Sequence, residues 1–218
     1  MALTKFNYNS FDLTTVASTG LAFNSSANGF DTAAPGAMTL IATNTISSGV
    51  SSSSFTSGID STYDTYMFKF INLHPSENGR HLRFQGSSNG GSSFGVTITS
   101  TSFGAYHNEA GSDTDFSYRT GRDLAQSTSY QNLVSDTGNG NDESNSGTLL
   151  LFSPSSTVFV KHFIYVGNSY HQSDYSNQEF VAGYFNTTSA INAVDFKFSS
   201  GNIDSGVIKM YGLSKSWV

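Results

Sequence analysis

The chain has no cysteine, which excludes disulfide bonds and thiolate metal centres. Charge is scarce as well. Asp, Glu, Lys and Arg make up 12% of the residues, roughly half the usual share. Their balance of −6 has the wrong sign for broad nucleic-acid binding, which needs Lys and Arg to displace phosphate counterions. No apolar run approaches the ~18 residues that would span a bilayer. The opening Met1-Ala-Leu-Thr-Lys-Phe-Asn-Tyr-Asn9 lacks the apolar core of a secretory leader. Good helix formers are sparse, which argues against an α-rich fold.

What fills the space is Ser, Thr, Asn and Gly, with 18 Phe and 11 Tyr supplying apolar mass. A length of 218 residues suits one β domain with an appendage. The stretch organising that domain runs from Gly58 to Pro75. Its centre, Thr65–Leu73, is aromatic and β-branched, bounded by turn residues before and Pro75 after. Tyr66, Phe68 and Phe70 fall on one parity, Met67 and Ile71 on the other. That pattern predicts a central strand covered on both faces.

Residues 1–36 form a separate segment. Phe6, Tyr8, Phe11, Leu13, Val16, Leu21, Phe23 and Phe30 are dispersed among small polar residues with neither helical nor strand period. Ordering such a backbone costs ~1–2 kcal/mol per residue, more than scattered anchors at ~1.5–3 kcal/mol each offset. The segment is therefore expected to be an extended arm lying along a surface, with Phe6, Tyr8, Phe11, Leu13, Phe23 and Phe30 as interface anchors. Residues 37–218 form the body. Strands are expected at 37–46, with Leu40 and Ala42 on a half-buried face, and at 81–85, with 94–100 as its hairpin partner across a Gly/Asn-rich turn. Shorter candidates are 103–107 and 116–118. The last third reads as successive strands at 148–152, 157–166, 179–185, 193–199 and 206–212. In 193–199, Val194, Phe196 and Phe198 point inward and Asp195 and Lys197 outward. Short strands joined by polar turns, without internal repeat, predict an all-β fold: an antiparallel β-sandwich or jelly roll.

Chemistry-bearing clusters are few. The loop Asp136–Glu143 has oxygen ligands but lacks the spacing of a calcium loop, and reads as a solvated turn. The histidines show no metal spacing, and Tyr106-His107-Asn108-Glu109 has acid–base vocabulary without a visible partner. Two clusters stand out: Tyr118–Asp123, with Arg119 and Arg122, and Tyr165–Tyr175, with Tyr170 and His171. Planar aromatic faces with Arg, Asn and Asp beside them serve either a glycan site or a protein interface. No catalytic, cofactor or metal residue is assigned.

Two blocks carry a resemblance. One is Gly58-Ile-Asp-Ser-Thr-Tyr-Asp64 through Asn72-Leu-His-Pro75, followed by Leu82-Arg-Phe-Gln-Gly86. The other is Ala182-Gly-Tyr-Phe-Asn-Thr-Thr-Ser-Ala-Ile191, running into Phe198-Ser-Ser-Gly-Asn-Ile203 and Gly206-Val-Ile-Lys-Met-Tyr-Gly-Leu213. Both resemble uncharacterised structural proteins of tailed, often marine, bacteriophages. The resemblance implies a virion component with a β-sandwich body, without functional residues to carry over. The expectation is a non-enzymatic decoration or cement protein on the outer capsid surface, working without cofactors. Its partners would be the major capsid protein and copies of itself, with a trimer the expected state; neither nucleic acid nor membrane is among them. The alternative is a receptor-binding or lectin-like tail module that recognises host glycans.

Overall fold

The computed structural model describes residues 21–23, 30–32 and 38–213. Phe6, Tyr8, Phe11 and Leu13 of the expected arm lie outside them. Phe23 and Phe30 fall in a short hairpin, β1 (Leu21–Phe23) with β2 (Phe30–Thr32), where they pair with each other. That hairpin is a sheet of its own.

All the other strands join one antiparallel 12-stranded sheet, nearly closed into a barrel, and no helix occurs among the described residues. The strands are β3 (Met38–Ile46), β4 (Ser53–Phe55), β5 (Thr65–Pro75), β6 (Arg80–Ser87), β7 (Ile98–Asn108), β8 (Thr114–Tyr118), β9 (Gln131–Thr137), β10 (Asn145–Phe152), β11 (Lys161–His171), β12 (Tyr175–Phe185), β13 (Ala193–Phe198) and β14 (Ile203–Leu213). A long ladder runs β3-β14-β5-β10-β11-β12-β7-β8, and a short one runs β9-β6-β13-β4. They are joined where His171 of β11 pairs with Thr137 of β9. Between them lies an aromatic core in which Phe196 sits edge-on to Phe70 at 5.0 Å and close to Phe68, Phe55 and Phe84.

β5 is central, flanked by β10 and β14, but only one of its faces is covered. Tyr66, Phe68 and Phe70 are buried while Ile71 is 39% exposed. Met67 and Ile71, on the other parity, belong to the outer face, and a bulge interrupts the strand after them. Asn72, at φ 49°, shifts the register against both neighbours, so that Leu73 and Pro75 turn inward after it. Asn tolerates this left-handed backbone better than most residues. A second bulge, where β14 shifts between Met210 and Tyr211, turns Leu40 outward, against the expected face, and leaves Ile41 against the core beside Ala42, which faces inward as expected.

Three further expectations are corrected. Residues 94–100 do not pair with β6, because both edges of β6 are taken by β9 and β13. Instead β7 lies along the whole of β12, from Ile98↔Phe185 to Asn108↔Tyr175. The strand expected at 157–166 starts later and runs to His171, with alternation unbroken through Ser169. Asp195 is not outward: it is buried, accepting hydrogen bonds from Tyr130 Oη at 3.0 Å and Ser54 Oγ at 2.5 Å. The strand β4 and the ring of Tyr130 cover a side that alternation alone assigns to solvent.

Candidate functional site

At the end of the molecule away from the phenylalanines, the interior is polar. Ser102, Ser135, Asn145, Ser169, Asn177 and Glu179 are all buried. The opening arises from side chains that are missing. Gly147, Gly167, Glu179 and Gly104 form one cross-strand row over β10, β11, β12 and β7. A β-carbon at Gly147 would meet Tyr165 Oη at 2.6 Å, and one at Gly104 would meet Glu179 Oε2 at 2.7 Å. The glycines therefore leave room for a phenol and a carboxylate inside the sheet.

Above that row is a pocket of about 230 Å³ lined by Tyr106, Arg119, Arg122, Asp136, His171, Tyr175 and Asn177. Arg119 and Arg122 come from the β8–β9 connection, Asp136 from β9, and His171 and Tyr175 from the tip of the β11–β12 hairpin. Arg122 holds the site together. Its Nη1 donates to Glu179 Oε1 at 2.7 Å and its Nη2 to Asp136 Oδ2 at 2.9 Å. Arg119 Nε lies 3.9 Å from Glu179 Oε1, too far for a hydrogen bond. Among the described residues, that buried Nε has no hydrogen-bond partner, whereas the Glu179 carboxylate also takes hydrogen bonds from Asn177 and Ser135. Burial pushes the Glu179 carboxyl above its usual range, against the pull of Arg122 and Arg119. Burial likewise raises the Tyr165 phenol, with the nearby Glu179 charge adding to it.

Asp136 reaches the pocket because its backbone adopts φ 51°, a conformation Asp accepts more readily than most. Its N–H donates to His81 Nδ1 at 3.1 Å, and its carboxylate lies 3.8 Å from both His81 Nδ1 and His171 Nε2. Neither contact is a true ion pair. His81 Nδ1 is an acceptor from the backbone, and His171 Nδ1 accepts from the Ser173 N–H, so both rings are neutral as bonded. Burial lowers both imidazoles despite Asp136, with Arg122 repelling each. On the aromatic side, the Tyr106 and Tyr175 rings meet edge to face at 5.1 Å, and the Arg119 guanidinium lies 5.6 Å from the Tyr106 centroid.

Four residues singled out in the sequence thus converge: Arg119, Arg122, His171 and Tyr175. Tyr170 borders a neighbouring depression of about 300 Å³ that shares Tyr175. Its phenol is pushed up to about 12, chiefly by a hydrogen bond to Glu109. Tyr165 does not belong with them. It is fully buried, because its parity on β11 points inward, and it can contact no ligand or partner at the surface. Tyr106, noted in the sequence only with His107, Asn108 and Glu109, joins the converging four, while Glu179 and Asn177 belonged to no cluster read from the sequence. The signal for Glu179 was its parity: it shares a face with the buried Val181 and Phe185. The Asp136–Glu143 loop closes on itself, with Glu143 accepting from the Gly140 N–H. Among the described residues, no group of His, Asp and Glu is placed to hold a metal ion.

A second surface bears on function. The outer face of the long ladder is apolar over a wide area. Tyr118, Phe103, Phe180 and Val166 form one cross-strand row, with Phe103 stacked on Phe180 at 5.0 Å. Ala182, Ile164, Leu150, Met67, Tyr211 and Leu40 form the next.

Taken together, the molecule is an all-β protein with a nearly closed antiparallel sheet, a pocket at the polar end of its interior and an apolar outer face. Compared with protein-family models, curated proteins and solved structures, the chain matches none. Among the described residues, no helix is long and apolar enough to cross a membrane.

Proposed function

We propose that the protein is a non-enzymatic structural protein of a bacteriophage virion, a decoration or cement protein on the outer surface of the head. The observation that carries this reading is the outer face of the long ladder. Phe116 is 71% exposed, Ile164 45%, Val166 39% and Phe103 38%. Contiguous apolar area of this kind on a sheet is the mark of a surface that another subunit covers. The sequence resemblance to phage structural proteins agrees with it, as does the low charge, since neutral Ser, Thr and Asn let sheet surfaces approach without repulsion.

In this reading the nearly closed sheet is a β-sandwich of the jelly-roll type. The long ladder is its outer leaf and β9-β6-β13-β4 its inner leaf, with the phenylalanines between. The body packs against copies of itself, as a trimer, and against the major capsid protein. The segment 1–36 extends over neighbouring capsid subunits, with Phe6, Tyr8, Phe11 and Leu13 as anchors. Its work is mechanical: area buried between subunits resists the pressure of packaged DNA.

The test uses capsids lacking the protein. Deleting residues 1–36, or introducing Ile164→Glu on the outer face, should abolish occupancy on them. Full occupancy by both variants would overturn the reading. Copy number in purified particles gives an independent check: hundreds per virion fit a head protein and a handful does not.

A further inference from the structure

We propose that the pocket bounded by Tyr106, Tyr175 and Arg122 binds a neutral sugar, a role separate from the particle-building one above. The cavity, about 230 Å³, is smaller than the ~300–1,000 Å³ of sites for drug-sized ligands, and is on the scale of a single sugar ring. Its walls divide into two kinds. Tyr106 and Tyr175 meet at an interplanar angle of 75°, forming a corner where the CH face of a pyranose has a ring to lie on. The opposite wall holds Asp136 as acceptor and Arg122 and His171 as donors, the complement of hydroxyl groups that both give and take hydrogen bonds.

The charge pattern narrows the class. Arg122 is already bonded to Glu179 and Asp136, and Arg119 has Asp115 at 3.6 Å and Glu179 at 3.9 Å. An anionic ligand would have to displace a carboxylate in place, and a cation would meet two guanidinium groups. An uncharged polyol does neither. The buried Nε of Arg119, which lines the cavity and has no partner among the described residues, leaves a donor of the kind that ligand or water usually takes up. Tyr175 also borders the second depression, with Asn168 and Tyr170, where the next ring of a chain would lie.

The experiment titrates the full-length protein with a panel of neutral methyl glycosides, followed by heteronuclear NMR, with glucuronate and inorganic phosphate in parallel. Saturable binding of at least one neutral glycoside at millimolar concentration is expected, with shifts centred on Tyr106, His171, Tyr175 and Asn177. Tyr175→Ala should weaken it roughly tenfold, the scale of one aromatic contact, while Tyr175→Phe, which keeps the ring, should bind as wild type. Absence of saturation across the neutral panel, tighter binding of glucuronate or phosphate, or indifference to Tyr175→Ala would each overturn the proposal. Occupancy of Tyr175→Ala on capsids separates this site from the structural role, since it should be unchanged.

Discussion

The two ends of this interior are built from the same strands and solve burial in opposite ways. At one end, Phe68, Phe70, Phe84, Phe163, Phe185 and Phe196 fill the space between the ladders, all essentially without exposure. At the other, β11 and β12 continue inward with Tyr165, Gly167 and Ser169 and with Asn177 and Glu179. The first end is held by dispersion and water exclusion, which tolerate no gap. The second is held by hydrogen bonds and ion pairs, which tolerate a cavity provided that each polar group finds a partner. The difference teaches where function can sit: a pocket opens where glycine replaces a side chain on the inner face and a charge needs an answer.

The largest expected effect tests the aromatic end. Phe196→Ala removes the ring on which Phe55, Phe68, Phe70 and Phe84 converge. It should destabilise by about 3–5 kcal/mol in urea unfolding, the usual cost of emptying a packed aromatic site. A loss under 1 kcal/mol would mean that this end is not packed as described. Next is Glu179→Ala at the polar end, which leaves Arg122 with only Asp136 and Arg119 without a buried counter-charge. Broken buried pairs cost about 3–5 kcal/mol, and the retained Asp136 bond places this one near the lower limit. Glu179→Gln, which keeps a hydrogen-bond acceptor, should cost visibly less.

Gly104→Ala sharpens the contrast. Its new methyl would lie 2.5 Å from the Gln178 carbonyl oxygen and 2.7 Å from Glu179 Oε2. The backbone carbonyl cannot swing aside, so overpacking should cost about 1–3 kcal/mol and disturb the pocket as well. Acidification also separates the two ends. His81 and His171 have pKa values lowered by burial. Their contribution is thus fully present above the ordinary histidine value near 6.5, and is lost as pH falls through the lowered values. Glu179, raised by burial, acts in the opposite sense, favouring the fold at lower pH. With two imidazoles against one carboxyl, the melting temperature should drop from pH 7 to pH 5, and His81→Gln should flatten that slope. An unchanged slope in the variant would remove His81 from the account. Smallest of all, Tyr175→Ala should cost about 0.5–1.5 kcal/mol, the scale of its edge-to-face contacts with Tyr106 and His171, while weakening sugar binding roughly tenfold.

Much of this was legible beforehand. The all-β class, the long aromatic strand at 65–75 and the inward set Val194, Phe196 and Phe198 of β13 follow from period and composition, whereas the outward place expected for Asp195 does not. The bulges at Asn72 and beside Ile41 did not, because a single extra residue in a strand reverses parity without changing the local pattern of residue types. The partner of β6 was misread because the Gly/Asn-rich 87–93 stretch resembles a tight turn, while strand pairing depends on which edges are free. Of the site, Arg119, Arg122, His171 and Tyr175 stood out by type; Tyr165 stood out equally and is core. A tyrosine's hydroxyl says nothing about which way its strand faces.

The chain's own composition determined that it would be a sheet protein. With few helix formers, abundant Phe, Tyr, Thr and Ser, and turn residues at short intervals, strands are the only way to bury its rings while satisfying its backbone. It also set which residues were available for recognition. Only the tertiary structure decided that two arginines from one loop meet a carboxylate from β9 and another from β12. Those residues lie 14 and 57 positions apart from Arg122 in sequence. They are brought together because the sheet curls until β11 meets β9, and because glycines on neighbouring strands leave room for the Tyr165 phenol and the Glu179 carboxylate. Contacts between strands distant in sequence depend on register and closure, and no local pattern of residues encodes either.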